Sequence, residues 1–423
     1  MHSAPPPLPY QCPGENQPIS RSIHLGRLAS FYHACKSCPH RSDIELVMDQ
    51  HAAEQFAARN SSATLFGNEG IVGSYLTNIG TSEVRKIATA FGILLAQKSR
   101  LPTPRPVVVV ASDGRPMTAE LMAAASEGLR LAGCDVVDIG FATSPCIVFA
   151  INHLNTGGGL LIGNPTGQPL EIGLKFWSAG GEPLSAGGQL DQLKNLLENG
   201  VNRPTRTGGN TRRFRADVPY LACLTKYFHA LRPLRFVLDT PSGQLQRYLI
   251  QLATAVSCEI TLLGRQAVAN TTAAAPPLDR IAAGVLERKA HFGVWIDGDG
   301  EAWQLVDERG RQIEAERMAC LLMDGILVER PESSVVVEDT THNWISKRLL
   351  DRGGRVHSTV PSREAAFATL RATNAVLGGG PSGRFWFAES SPTIDGLRAL
   401  AVLLTTLSQS DRQLSERIAD LCP

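Results

Sequence analysis

The sequence predicts an α/β protein: three similar α/β/α domains behind a short N-terminal extension that carries Cys and His. Three observations predict it. Short all-apolar runs rich in β-branched residues recur, each with an acidic residue at or near its end. Each run leads into an amphipathic stretch and then a second apolar run, the pattern of strand, helix and parallel strand. The chain has 423 residues, which at about 150 residues per domain is two to three domains.

Residues 1–60 stand apart. They hold Pro5-Pro6-Pro7, Cys12, Cys35, Cys38 and five of the ten His (2, 24, 33, 40 and 51), and show no sustained strand pattern. One short helical stretch is expected near Ile44–Ala58. From Leu65 the pattern is regular. Val84, Ile87, Phe91 and Leu94 recur at three- and four-residue spacing behind Thr81 or Ser82 as N-cap, which predicts a helix. Val107–Val110 predicts a buried strand, Ala119–Leu131 a helix, and Cys134–Gly140 a second strand. The unit repeats with Arg235–Asp239 and Cys258–Leu262, and again with Val335–Asp339 and Gly354–His357. Asn202–Arg213 has four Arg among Gly and Pro, and reads as a solvated interdomain loop. Arg265–Pro277 reads as a long loop, and Leu397–Leu407 as an apolar helix.

Bulk properties exclude several classes. Lys+Arg number 41 against 40 Asp+Glu, so charge alone rules out a strongly basic nucleic-acid binder and an acidic solvating chain. No apolar run reaches the roughly 18 residues that cross a bilayer. The start, MHSAPPPLPYQCPG, lacks the charged and apolar regions of a secretory signal, so a cytoplasmic location is expected, without nucleic acid or membrane as partner. The nine Cys are odd in number and scattered, which reads as reduced thiols.

Four loops follow apolar segments or interrupt them with Gly. Phe66–Gly73 has three Gly in eight residues, a tight turn or an anion nest. Gly157–Gly173 runs from Leu160-Leu161-Ile162 into Gly, Pro, Asn and Thr166, a plain turn or a functional loop at a strand C-terminus. Val294–Glu301 alternates Asp297, Asp299 and Glu301 with Gly. Three carboxylates at such spacing suit one hard cation, and also a solvated acidic turn. Gly378–Arg384 follows Ala375-Val376-Leu377 and offers backbone N–H groups, Ser382 and Arg384 to a polar ligand.

In order and spacing these loops resemble the α-D-phosphohexomutase superfamily, which includes phosphoglucomutase and phosphomannomutase. Phe66–Gly73 looks like FGTDGIRG, Val107–Arg115 like VVVGRDTR, and Leu160–Trp177 like IMITASHNPPEYNGFKLW. Gly293–Gly310 looks like GVAFDGDGDRLIVVDEKG, and Gly378–Arg384 like GGEMSGH. The likeness spans about Leu65 to Leu407. It implies three α/β/α domains of phosphohexomutase type, at residues 61–201, 214–300 and 301–423, behind the extension at 1–60. It implies a hexose phosphate as ligand, Mg²⁺ held by Asp297, Asp299 and Glu301, and a hexose bisphosphate primer for an active enzyme. Sugar contacts fall to Gly379, Ser382 and Arg384, and catalytic roles to Arg115 and Lys175.

The departures fall on the chemistry. Ungapped, the family's phosphoserine is Pro165; with one deletion it is Thr166, a phosphoryl carrier whose β-branching crowds in-line attack. The Arg of GIRG is Val72, the first Arg of GRDTR is Ser112, and Ala302 follows Glu301. The sugar-loop Glu is Gly380 and its His is Arg384. After Leu407 only 16 residues follow, and none resembles the fourth domain's phosphate loop. Two functions are therefore expected in competition: a catalytically degraded protein that binds a sugar phosphate or regulates, and an active mutase using phospho-Thr166.

The extension adds a separate motif. Cys35 and Cys38 form C-x₂-C with His40 close behind and Cys12 upstream, a Cys₃His set suited to structural Zn²⁺, or else thiols without metal. The segment has no counterpart in the superfamily and is a candidate for docking a protein partner.

Overall fold

The computed structural model describes residues 10–29, 32–41, 43, 65–98, 105–164, 170–200, 208–253, 256–263, 278–389 and 391–421. The N-terminal segment pairs β1 (Tyr10–Gln11) with β2 (Pro18–Ile19), followed by helix α1 (Arg21–Ala29) and a 3₁₀ turn at His33–Ser37. Its apolar centre is small: Leu28 and Cys35, with Leu25 against them.

The first domain is a seven-stranded sheet built from β3 (Phe66–Gly67), β4 (Gly70–Ser74), β5 (Val107–Ser112), β6 (Asp135–Phe141), β7 (Gly158–Gly163), β8 (Glu171–Ser178) and β9 (Thr211–Arg213). The order is β3-β4-β8-β7-β5-β6-β9, with β7, β5, β6 and β9 parallel. Helices α2 (Thr81–Lys98), α3 (Thr118–Leu131), α4 (Ser144–His153) and α5 (Gln189–Glu198) cover its faces. The expected helix period holds, since Val84, Ile87, Phe91 and Leu94 are all buried. The helix begins at Thr81 itself, and the Glu83 carboxylate accepts from the Gly80 amide at 2.9 Å.

The second sheet follows helix α6 (Asp217–Thr225). It contains β10 (Arg235–Asp239), β11 (Glu259–Leu262), β12 (Phe292–Ile296), β13 (Trp303–Asp307) and β14 (Gln312–Ile313), with helices α7 (Gly243–Ala253) and α8 (Leu278–Arg288). The third begins with α9 (Ala315–Glu329). It contains β15 (Ser334–Glu338), α10 (Asn343–Asp351), β16 (Arg355–Thr359), α11 (Arg363–Thr373), β17 (Leu377–Gly379), β18 (Trp386–Phe387) and β19 (Thr393–Ile394). Helices α12 (Gly396–Ser408) and α13 (Leu414–Ala419) end the described chain. The two five-stranded sheets share one plan: β11-β10-β12-β13-β14 and β16-β15-β17-β18-β19, three parallel strands and then two antiparallel ones.

Alternation along the central strands explains how the sheets join. Val109 faces one core while Val108 and Val110 face another. Phe236 and Leu238 share Val109's core, as do Val335 and Val337, while Val237 and Val336 face away. Period-two alternation thus gives each sheet one face toward a common apolar interior and one toward its own helices.

Three expectations need correction. The segment Asn202–Arg213 is not all loop, because Thr211–Arg213 adds β9 in parallel to β6. The boundary at 300/301 cuts a sheet, because Trp303–Asp307 pairs antiparallel with Phe292–Ile296 and then with Gln312–Ile313. The strand placed at Ala375–Leu377 runs Leu377–Gly379. The helical stretch near Ile44–Ala58 and the loop Arg265–Pro277 lie outside the described residues. Among the described residues, no helix is long and apolar enough to cross a membrane.

Candidate functional site

The acidic loop is the turn of a β-hairpin. Strand β12 ends at Ile296 and β13 starts at Trp303, and the Asp297 amide closes the turn on the Ala302 carbonyl at 3.0 Å. Inside the turn, Asp297 Oδ1 accepts from the Glu301 amide at 2.7 Å. The loop is held from both other domains. The Asp299 carbonyl accepts from the Ser144 amide at 3.0 Å, and the Gly300 carbonyl from the Gly396 amide at 2.9 Å. The turn is therefore a rigid junction and not a solvated loop.

Cations from the first and third domains meet its carboxylates. Lys175, on β8, places Nζ 2.6 Å from Asp299 Oδ2 and 3.0 Å from Glu301 Oε2. Arg363, the first residue of α11, donates from Nη2 to Glu301 Oε1 at 2.8 Å while its guanidinium lies 5.2 Å over the Trp177 ring. Arg384 Nε lies 4.0 Å from Glu301 Oε2, and its two Nη groups bind both carboxylate oxygens of Glu69, with 2.7 Å for the Nη2 contact. Arg363 and Glu301 are 3% and 2% exposed, so these charges stand in place of water.

The electrostatics follow from who faces whom. Burial alone would raise the Glu301 carboxyl, but Arg363, Lys175 and Arg384 outweigh it and hold the group at about 2. Burial, then Asp299 and Glu301, pushes Asp297 up to about 7. Burial opposes the charge on Lys175, yet Asp299 and Glu301 keep its affinity for the proton above the ordinary value. Four carboxylates (Glu69, Asp297, Asp299 and Glu301) thus face three cations, and Asp297 bears the mismatch. Among the described residues no three His, Cys, Asp or Glu side chains converge as a metal cage. Lys175 stands between Asp299 and Glu301, and Asp297 turns back to its own loop. The donor set itself, oxygen only with an unmatched negative charge, suits a hard divalent cation.

The remaining expected residues are placed as follows. Arg115 binds Asp113 at 2.6 Å and the carbonyls of Glu171 and Gly163 at 2.9 and 3.0 Å, so it ties together the two ends of the loop between β7 and β8. Pro165 and Thr166, on that loop, lie outside the described residues. Gly379 lies within β17, where an added Cβ would meet the Phe385 ring at 3.1 Å. Ser382 gives its amide to Glu338 at 2.9 Å and its hydroxyl to the same carboxylate. A Cβ at Gly380 would lie 2.8 Å from that of Glu338, so Glu338 fills the space a side chain there would take.

The Cys₃His zinc set is not formed. Cys12 Sγ accepts instead from Arg27 Nη1 at 3.1 Å, and His40 stands edge-on to Tyr10 and His24. Burial, then Cys12 and Cys38, pushes the Cys35 thiol up to about 11.

Glu69, Glu338 and Arg363 are the site residues that sequence reasoning missed. Arg363 had a signal, since it opens a helix just past the end of a parallel strand, at the sheet edge where functional loops gather. Two cavities of about 410 and 490 Å³ lie elsewhere, one lined by Phe149, Tyr220, Tyr227 and Arg398, the other by Arg235, Lys289, His291 and Arg412.

Comparison with known proteins agrees with this geometry. Residues 63–200 match phosphoglucomutase/phosphomannomutase alpha/beta/alpha domain I, and residues 314–423 match domain III of that family. The phosphoglucomutase/phosphomannomutase of Thermococcus kodakarensis is 28% identical over 367 residues, covering 84% of this chain and 80% of its own. The phosphoglucosamine mutase of Frankia alni is 26% identical over 369 residues, covering 83% and 80%. The crystal structure of a phosphoglucomutase/phosphomannomutase family protein from Burkholderia thailandensis superposes with a TM-score of 0.76 at 25% identity, over 85% of this chain and 80% of that one. The fold is also that of an Aspergillus fumigatus N-acetylphosphoglucosamine mutase, solved with GlcNAc-6P and magnesium, at TM-score 0.53 and 11% identity over 85% and 80% of the chains. The chain belongs to the α-D-phosphohexomutase superfamily.

Proposed function

We propose that this protein binds a hexose phosphate in the cleft beside the acidic loop and has lost most of the superfamily's phosphoryl transfer. The observation that carries the reading is the commitment of the cleft's cations. Lys175 and Arg363 hold Asp299 and Glu301, and Arg384 holds Glu69. Phosphoryl transfer depends on cations positioned on the moving group, and here they neutralise the protein's own carboxylates. Val72, on β4 beside β8, stands where the superfamily's GIRG motif has its Arg.

Asp297, Asp299 and Glu301 are the residues that would hold Mg²⁺. When bound, the ion neutralises phosphate charge next to the loop. Lys175 holds Asp299 and Glu301 in place from β8, and Arg115 joins the two ends of the loop that carries Thr166. The superfamily members among the relatives are named as mutases, which favours the competing reading: turnover through phospho-Thr166.

A mutase assay separates the two. It uses glucose 1-phosphate and mannose 1-phosphate with Mg²⁺ and glucose 1,6-bisphosphate as primer, with Thr166→Ala in parallel. The binder reading expects turnover at least about 10³-fold below an active superfamily enzyme, because charge positioning of this kind is worth several orders of magnitude. It also expects no further loss in the variant. Robust turnover that Thr166→Ala abolishes overturns it.

A further inference from the structure

We propose that Glu69 is an internal carboxylate that occupies the anion-reading fork of Arg384, so that an anionic ligand enters the cleft by exchange with it. The inference rests on the reading above and adds how the site selects its ligand. The two partners come from different domains, Glu69 from the hairpin of β3 and β4, and Arg384 from the loop between β17 and β18. Their contact is bidentate, the geometry in which guanidinium reads a carboxylate or a phosphate.

Both ends are fixed by backbone. Gly70 has φ +154°, and a Cβ there would collide with the Leu174 carbonyl, so the hairpin tip lies flat against β8. The Asn68 carbonyl also accepts from the Ala186 amide at 2.8 Å. Gly383 has φ +71°, and its carbonyl accepts from the Trp303 amide at 2.9 Å. Arg384 itself pairs across an antiparallel bridge with Ala302, next to the acidic loop. A fork fixed this way keeps its aim when Glu69 leaves.

The surroundings allow the exchange. The Arg384 side chain is 21% exposed and that of Glu69 27%, so the pair lies at the cleft wall and not in the core. Arg384 Nε has no hydrogen-bond partner among the described residues. Burial disfavours the Glu69 charge, but Arg384, Arg363 and Lys175 keep it ionised, so two cations remain near it when Arg384 turns to a ligand. The site therefore discriminates by charge. A neutral sugar offers Arg384 nothing that Glu69 does not already supply, whereas a phosphate oxyanion competes directly.

The test is calorimetric titration of glucose 1-phosphate, inorganic phosphate and methyl α-glucoside into the wild type, Glu69→Gln, Arg384→Gln and the double variant. Glu69→Gln is expected to bind glucose 1-phosphate at least about tenfold more tightly, a gain of about 1.4 kcal/mol by the affinity relation. Its affinity for methyl α-glucoside stays unchanged, and the double variant behaves as Arg384→Gln. Glu69→Ser serves as the second variant where Glu69→Gln does not fold. Equal glucose 1-phosphate binding by wild type and both Glu69 variants overturns the exchange while leaving the binder reading intact. Binding of inorganic phosphate that is gained in Glu69→Gln, lost in the double variant, and unaccompanied by sugar phosphate binding supports the exchange and overturns the hexose phosphate reading. A gain equal for methyl α-glucoside and glucose 1-phosphate reveals a merely structural role and overturns the proposal.

Discussion

The carboxylates between β12 and β13 and the thiols of the N-terminal segment are both buried, but by different means. Glu301 is enclosed by elements of all three sheets, and each neighbour brings a charge or an amide aimed at the loop. Cys12, Cys35 and Cys38 are enclosed by one nine-residue helix, a hairpin of two-residue strands and a 3₁₀ turn, with Leu28 against Cys35. Convergence of polar side chains needs rigid elements that cross in space. The cleft has them, and the N-terminal segment does not.

Removing one charge from the acidic loop's surroundings has the largest expected effect. Arg363→Met leaves Glu301 buried with Lys175 alone at hydrogen-bond distance. Breaking a buried ion pair by deleting one partner costs about 3–5 kcal/mol. Urea unfolding should register that loss, and pairing the change with Glu301→Gln should recover much of it. A loss below about 1 kcal/mol would mean that water reaches Glu301 and that the junction is not rigid.

A second carboxylate on the same seam differs, because a single guanidinium, Arg398, faces it and does not outweigh burial. Asp395 caps α12 through the amides of Leu397 and Arg398 at 2.9 and 3.0 Å, and accepts from the Tyr220 hydroxyl at 3.0 Å. Burial pushes it up to about 6, opposed by the Arg398 amide and Tyr220. The groups facing it are Tyr220 from α6, Cys146 from α4 and Arg398 from its own helix. A folded value above the unfolded one of about 3.9 means stability that is full below pH 4 and lost as pH rises through 6. Asp395→Asn keeps a capping side chain and should flatten the stability profile between pH 4 and 7. At pH 8 it should gain on the order of 1–2 kcal/mol, read from unfolding midpoints. A profile as steep as the wild type's would remove Asp395 as its source.

Much of this was legible in advance for a physical reason. Runs such as Val108–Val110, Phe236–Leu238 and Val335–Val337 are buried on both faces, and apolar continuity is a local property of sequence. The acidic loop was legible because Asp297, Asp299 and Glu301 are neighbours in the chain. Their partners were not, since Lys175, Arg363 and Arg384 meet Glu301 across separations of 126, 62 and 83 residues, which no periodicity encodes. Glu338 was hidden for the same reason. It fills the space at Gly380 from another strand, and the sequence registers only that a side chain is missing there. The zinc expectation finds no support among the described residues. Spacing allowed four ligands, while Cys12 accepts from Arg27 and His40 stands edge-on to Tyr10 and His24.

The smallest expected effect lies in that N-terminal segment. Cys12→Ser removes the acceptor 3.1 Å from Arg27, whose other partner, Glu15, lies at 2.8 Å from the same nitrogen and remains. Serine keeps an oxygen acceptor at that position and Arg27 keeps Glu15, so the loss should be worth under about 1 kcal/mol and the thermal midpoint of the three-sheet body should stay within about 1 °C. Amide exchange should rise only over residues 10–41. Cys35, pushed up to about 11, should alkylate with iodoacetamide at pH 8 more slowly than the half-buried Cys223, and Cys12→Ser should narrow that gap by loosening the segment. A body midpoint that falls by several degrees would show that the N-terminal segment is part of the fold's rigid frame. The contrast between the two buried clusters would then disappear.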